Sequence, residues 1–218
     1  RYGVPKNAIR KVLGKETDEY SIEAALDVQT ITGIAQNTEV WEFVFGLTFD
    51  MTLVTETIMA TPGAPRVVSL SYAGDENILG ETLIKAGNVG LMKFGLAGFT
   101  FVSAAGDNGP VLNIHTCSTF SAYFPGSSPY VVSVGGTAYN NDTKQLHPWI
   151  DGSGGFSIFS PRPKFQDSAV EEYLKSATTL PPNKNGAVYN TANRAYPDIS
   201  GFGAFEPTIV HGKTLQED

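Results

Sequence analysis

Cysteine is nearly absent. Cys117 stands alone among 218 residues, so no internal disulfide can form. A lone cysteine is usually a buried thiol, although in a secreted protein it can also pair with a partner chain. Apolar runs are short: none approaches the roughly 18 residues that span a bilayer, so no membrane-spanning helix is expected. Basic residues are outnumbered, 15 Lys and Arg against 22 Asp and Glu, for a net charge of −7 and a pI near 5.0. A nucleic-acid binder normally presents a basic face, and this balance argues against one. Several chemical signatures are also missing. The chain has no phosphate-binding P-loop, no GxGxxG opening a helix after a strand, no HExxH and no GxSxG elbow. His115, His147 and His211 are scattered in expected loops without metal-ligand spacing, and are read as surface or hydrogen-bonded residues. Arg1-Tyr2-Gly3-Val4-Pro5 is no basic segment ahead of an apolar core. The expectation is a chain that starts after any leader or propeptide.

What remains is a globular composition. Hydrophobic residues make up 41%, charged residues 17%, and 23 glycines point to many tight loops. The length suits one sizeable α/β domain, 1–218, with a buried core; no linker or internal repeat interrupts it. Helices are expected over Ser21 to Gln36, Phe49 to Met59 and Glu81 to Phe94, the last despite Gly87 and Gly90. Strands are expected over Val40–Phe45, Arg66–Tyr72, Phe99–Ala104 and Tyr130–Val134. Alternating apolar strands and helices imply a parallel central sheet flanked by helices on both faces. From His147 onward the pattern loosens into Gly/Ser/Pro-rich loops, with a Pro181-Pro182-Asn183 loop and one short helix near Ala169–Lys175. Asn141-Asp142-Thr143 is a glycosylation sequon, weak support for a secretory route.

Chemistry concentrates in three carboxyls. Glu23 and Asp27 are four residues apart in the first expected helix, so both lie on one face, one turn apart. Such a pair tends to share a proton or recruit a third group. Glu-x-x-x-Asp is common on solvated helix faces, yet Ile22, Ala24, Ala25, Leu26, Val28 and Ile31 leave little polar face here. Partly buried, pKa-shifted carboxyls are therefore expected. Asp107, on a glycine-flanked turn after the Phe99–Ala104 strand, either stabilises its turn or faces the pair from the carboxyl end of the sheet, where working residues gather in such folds.

Six segments, in this order, carry a resemblance: Glu23-Ala24-Ala25-Leu26-Asp27-Val28-Gln29; Val68-Ser69-Leu70-Ser71-Tyr72; Gly98 to Asp107; Phe124-Pro125-Gly126-Ser127-Ser128-Pro129-Tyr130-Val131 with Val134-Gly135-Gly136-Thr137; Ser153-Gly154-Gly155-Phe156-Ser157; and Arg194-Ala195-Tyr196-Pro197-Asp198-Ile199. Together they resemble the sedolisin family of serine-carboxyl peptidases, on its tripeptidyl-peptidase branch, which is lysosomal in animals. Pro161-Arg162-Pro163 and Leu180-Pro181-Pro182 add to the likeness. The resemblance implies a subtilisin-like fold and an acid-acting peptidase that releases N-terminal tripeptides in a lysosomal or secreted setting. It implies Glu23 as general base, Asp27 as its partner and Asp107 as the oxyanion-stabilising acid. It also implies Ser71, Tyr72, Ser153, Gly154 and Gly155 as the strand and loop that align a peptide substrate.

The chain departs from the family at its end. Members carry a Gly-Thr-Ser nucleophile motif downstream of Tyr-Pro-Asp, which is not present here, and Thr214 is not followed by the expected small residues. The family's calcium site also lies beyond that serine, so calcium is expected with no ligand, and no other metal site, in this chain. One explanation is the larger product of a cleavage, with a smaller chain bearing the serine held non-covalently or through Cys117. The others are an incomplete chain, and a non-catalytic relative that only binds peptides. An endopeptidase of the same family is the nearer alternative to tripeptide release. The three retained acids favour the catalytic readings.

Overall fold

The computed structural model describes residues 9–14, 21–46, 48–109, 120–177, 180, 189–203, 207–210 and 213–216. In chain order the elements are β1 (Ile9–Gly14), α1 (Ile22–Ile34), β2 (Val40–Val44), α2 (Met51–Ala60), β3 (Val67–Leu70), β4 (Gly74–Asp75), α3 (Glu76–Leu79) and α4 (Glu81–Leu96). Then come β5 (Thr100–Ala104), β6 (Tyr123–Phe124), β7 (Val132–Asn140), β8 (Gln145–Pro148) and β9 (Gly155–Pro161). A 3-10 turn over Lys164–Gln166 leads into α5 (Asp167–Ser176), and β10 (Asn193–Tyr196), β11 (Ile199–Phe202), β12 (Pro207–Val210) and β13 (Lys213–Gln216) follow.

Helix starts follow side-chain chemistry. An N-terminal turn leaves backbone N–H groups without partners, and a short polar side chain can accept from them. Ser21 accepts from the Ala24 N–H to open α1, and Asp50 accepts from Thr52 and Leu53 to open α2. That cap is why α2 begins at Met51 and not at Phe49. The Asp75 side chain does the same for α3.

The central sheet runs β11-β7-β5-β3 in parallel, with β8 folded back antiparallel on β7. Parallel neighbours require crossovers, and α4 supplies the one between β3 and β5. Met51, Val54 and Ile58 of α2 bury against Ile84, Leu91 and Phe94 of α4, with Phe101, Phe124 and Val131 completing the core. The two helix glycines are explained by this contact. A Cβ on Gly87 would lie 2.7 Å from the Phe124 ring, and one on Gly90 would lie 2.9 Å from Thr55 Oγ1 and 3.2 Å from the Met51 carbonyl. Close helix packing outweighs their unfavourable helix propensity.

Downstream of His147 the expected loosening is only partial. β9 pairs antiparallel with β10, and β11 adds to the sheet edge through Ile199↔Val134 to Phe202↔Thr137. Side-chain alternation is weak there because glycines and prolines replace the usual apolar residues, so the strand signal is lost although the backbone pairs. β7 likewise runs on to Asn140, six residues beyond Val134, through Gly135 and Gly136. His147 lies exposed in β8 and not in a loop. The sequon Asn141-Asp142-Thr143 occupies the exposed turn between β7 and β8, held by Asn140 Oδ1, which accepts from the Asp142 and Thr143 N–H groups. Cys117, His115, His211 and the Pro181-Pro182-Asn183 loop lie outside the described residues. Among the described residues no helix is long and apolar enough to cross a membrane.

Candidate active site

β3 and β5 are adjacent and in register, Leu70 opposite Ser103. Their carboxyl ends therefore open at the same edge of the sheet, and the candidate residues collect there in two groups.

The first group joins α1 to β3. Glu23 and Asp27 lie in the first two turns of α1, both half-buried. Just past β3, Ser71 Oγ donates to Asp27 Oδ1 at 2.6 Å, and the Tyr72 phenol shares a 3.1 Å hydrogen bond with Ser21 Oγ at the helix cap. Burial pushes the Asp27 carboxyl above its usual range, and the Ser71 hydroxyl pulls it partly back. The sequence expectation of a partly buried, shifted carboxyl is thus met at Asp27. Tyr72 is 42% exposed, so its ring reaches solvent at this edge.

The second group joins β5 to the loop before β9. Asp107 lies exposed on the turn three residues beyond Ala104. Ser153 is buried beside it: its N–H donates to the Gly106 carbonyl at 2.8 Å, and its Oγ accepts from the Asn108 N–H at 3.2 Å. Gly106 has φ +109, and a Cβ there would come within 3.0 Å of Ser153 Oγ and 3.1 Å of the Tyr123 ring. Only glycine suits both that conformation and that contact. Burial raises the Tyr123 phenol, with the charges of Asp75 and Asp107 adding to it. Gly154 packs on Pro197 and the Tyr196 carbonyl, and Gly155 begins β9 opposite Tyr196.

Beneath these groups is a buried polar layer that sequence reasoning missed. Glu76 is wholly buried and accepts from Ser127 Oγ, Ser157 Oγ (2.8 Å) and the Ile158 N–H (2.6 Å). Burial is the largest influence on it and pushes its carboxyl up. Asp75 accepts from Ser121 Oγ and from the Asn77 N–H. Arg194, also fully buried, forks onto both oxygens of Asp198 at 2.7 and 2.5 Å and donates to the Ser128 carbonyl. Asp198 in turn accepts from the Ser133 N–H, and Gln166 bridges to Ala195. An acid opening a helix is ordinarily a capping residue, so Glu76 gave no signal. Arg194 and Asp198 lie four residues apart in the Arg194–Ile199 segment, and the turn at Pro197 brings them together.

Among the described residues no group of three or more His, Cys, Asp or Glu side chains could hold a metal ion.

No family model matches the chain. Tripeptidyl-peptidase 1 of Mus musculus is 34% identical over 207 residues, covering 88% of this chain and 35% of that relative. The Homo sapiens protein of the same name is 33% identical with the same coverage. Among solved structures, Pseudomonas sedolisin (serine-carboxyl proteinase) complexed with two molecules of pseudo-iodotyrostatin aligns with a TM-score of 0.62 at 19% identity. The alignment covers 95% of this chain and 61% of that one. A lanthipeptide protease aligns with a TM-score of 0.52 at 15% identity, covering 77% of this chain and 55% of that one.

The parallel sheet and these structural likenesses define the fold class as α/β, subtilisin-like. This chain spans about a third of the length of the curated relatives it matches. The sequence matches over 88% of the chain support the sedolisin family of serine-carboxyl peptidases, on the tripeptidyl-peptidase 1 branch, as its family.

Proposed function

We propose that this chain supplies the acid and base machinery of a serine-carboxyl peptidase that hydrolyses peptide bonds under acidic conditions and releases tripeptides from free N-termini. The observation that carries the reading is the half-buried Glu23/Asp27 pair on one helix, tied through Ser71 to the strand end that neighbours Asp107. Identity of 34% to tripeptidyl-peptidase 1 supports the substrate class.

In this reading the nucleophilic serine comes from outside the 218 residues, on a continuation of the chain or on a second chain, with Cys117 as one point of linkage. Ser71, Tyr72, Ser153, Gly154 and Gly155 align an extended peptide by backbone pairing. The Glu23 carboxylate takes the serine proton as Oγ bonds to the scissile carbonyl carbon. The carbonyl electron pair moves onto oxygen, where protonated Asp107 donates a hydrogen bond. Glu23 then gives its proton to the leaving nitrogen as the C–N bond breaks. Water repeats the sequence on the acyl ester: Glu23 takes its proton and returns one to serine Oγ. Asp27 orients Glu23 and shares its negative charge.

A carboxylate base works near its own pKa, and Asp107 must carry a proton, so both requirements place the working range below neutral pH. That range fits a lysosomal or secreted acidic location. Calcium, expected from the family, belongs to residues other than those described and takes no part in these steps. In the full-length protein, Glu23→Gln lowers kcat at least about 100-fold with little change in KM, measured on a peptide with a free N-terminus at acidic pH. Retention of the rate would overturn Glu23 as base. Equal cleavage of an N-terminally blocked peptide would replace tripeptide release by endopeptidase action, and binding without turnover would leave a peptide-binding module.

A further inference from the structure

We propose that Ser71 is a positioning residue for the acid pair: its hydroxyl, donated to Asp27, holds the partner carboxylate in place, while the adjoining Tyr72–Ser21 contact pins the start of the same helix. This rests on the peptidase reading above and deepens it, since Ser71 was expected only to align substrate through its backbone.

The geometry is specific. A hydroxyl 2.6 Å from a carboxylate oxygen is a short, charge-assisted hydrogen bond. It comes from a different element, 44 residues away, so it fixes α1 against the sheet and not merely within itself. One residue on, Tyr72 reaches Ser21, whose Oγ already accepts from the Ala24 N–H. Two successive residues after β3 therefore grip two successive turns of α1, with Glu23 between the gripped positions. Among the described elements β12 also packs on α1. The grip matters because a carboxylate base loses efficiency when misplaced by a fraction of an ångström.

Ser71 also acts on protonation. A hydroxyl that donates to a carboxylate favours its charged form, opposing the burial of Asp27. Among the described residues, the ionisable side chains beside Asp27 are Glu23, one turn back on α1, and Tyr72, just past β3. β12 carries only Pro207, Thr208, Ile209 and Val210 and adds none. Without the Ser71 hydroxyl, Asp27 holds its proton to higher pH, and the charge that Glu23 meets one turn away changes with it.

The test uses the full-length protein with selectively labelled aspartate carboxyls. Ser71→Ala moves the Asp27 titration, followed by carbon NMR, to higher pH. Ser71→Thr, which keeps the hydroxyl, restores it, and Ser71→Cys, a weak donor of similar volume, shifts it in the same direction by less. In the active enzyme the pH profile of kcat/KM changes shape with it, with about a fivefold loss where Asp27 has gained its proton and less elsewhere. An unmoved Asp27 titration in both the Ala and Cys variants overturns the proposal. So does a uniform loss of rate with an unchanged pH profile, which is what a purely structural role produces. If the Asp27 titration moves but neither wild type nor variant cleaves peptides, the proposed peptidase function fails, and the Ser71 contact with it loses its catalytic purpose.

Discussion

Glu76 and Asp27 are both carboxylates that accept serine hydroxyls, yet they occupy opposite regimes. Glu76 is wholly enclosed and takes donors from two separate segments, Ser127 on one and Ser157 with the Ile158 N–H on the other. Asp27 is half-buried at the sheet edge and takes the Ser71 hydroxyl. Asp198 reaches solvent but is saturated like Glu76, gripped by Arg194, Gln166 and the Ser133 N–H. A carboxylate surrounded by donors has little capacity left for a reacting group, so saturation marks a structural role. One that is partly desolvated and borders an opening can still exchange a proton with a substrate or nucleophile. The lower layer locks β9, β10 and the Ser127 loop together, and the upper groups rest on it.

Arg194→Met provides the largest break in this contrast. It removes the buried partner of a bidentate pair whose carboxylate, on Asp198, reaches solvent, and it leaves the Ser128 carbonyl without its Arg194 donor. The expected cost is about 2–3 kcal/mol in urea unfolding. A loss below about 1 kcal/mol would mean that the lower layer does not carry the stability assigned to it.

Glu76→Gln sharpens the comparison by pH, with an intermediate effect. Burial raises the Glu76 pKa despite its hydrogen bonds. Between the ordinary glutamate range and that raised value the folded state binds more protons than the unfolded one, so stability falls as pH rises. The contribution is therefore fully present below the ordinary range and lost as pH climbs through the folded value. Glutamine resembles the neutral form: its oxygen can accept from the Ile158 N–H while its NH2 faces the two serine hydroxyls. The variant should match wild type in acid and exceed it near neutrality. Stability that runs parallel in the two proteins across that span would show that Glu76 is ionised throughout.

How far each layer was legible in the sequence follows from the same distinction. Most of the elements from α1 through β5 were legible, because apolar periodicity and caps are local. So was the placement of Asp107 just past β5, because parallel sheets gather loops at one edge. The resemblance supplied roles for Glu23, Asp27 and Asp107 that spacing alone could not. The lower layer was illegible because it is assembled across distance: Glu76 meets Ser157 81 residues away, and Asn88 meets Ser160 72 residues away. Serines carry no periodic signal that marks them as buried. The strands beyond His147 were hidden for a related reason, since their pairing depends on glycines that admit Pro197 and Trp149 against the backbone of Gly135 and Gly136.

The smallest test compares two helix caps, one in each regime. Asp50 opens α2 against the hydrophobic core, and Ser21 opens α1 beside the candidate site. Replacing either with alanine orphans backbone N–H groups and should cost about 1 kcal/mol in chemical denaturation. The two should differ in function. Asp50→Ala loosens a helix end whose buried residues Met51, Val54 and Ile58 are held by α4, so kcat/KM for peptide cleavage in the full-length protein stays near wild type. Ser21→Ala also frees the Tyr72 phenol and the turn that carries Glu23, so the same loss of stability comes with about a fivefold loss of kcat/KM. The loss should fall mainly on kcat, because a misplaced base weakens the transition state more than the bound substrate. Equal activity in the two variants would mean that α1 is held at its start by contacts other than the cap and Tyr72, and that the opening tolerates more play at Glu23 than its tie to the sheet implies.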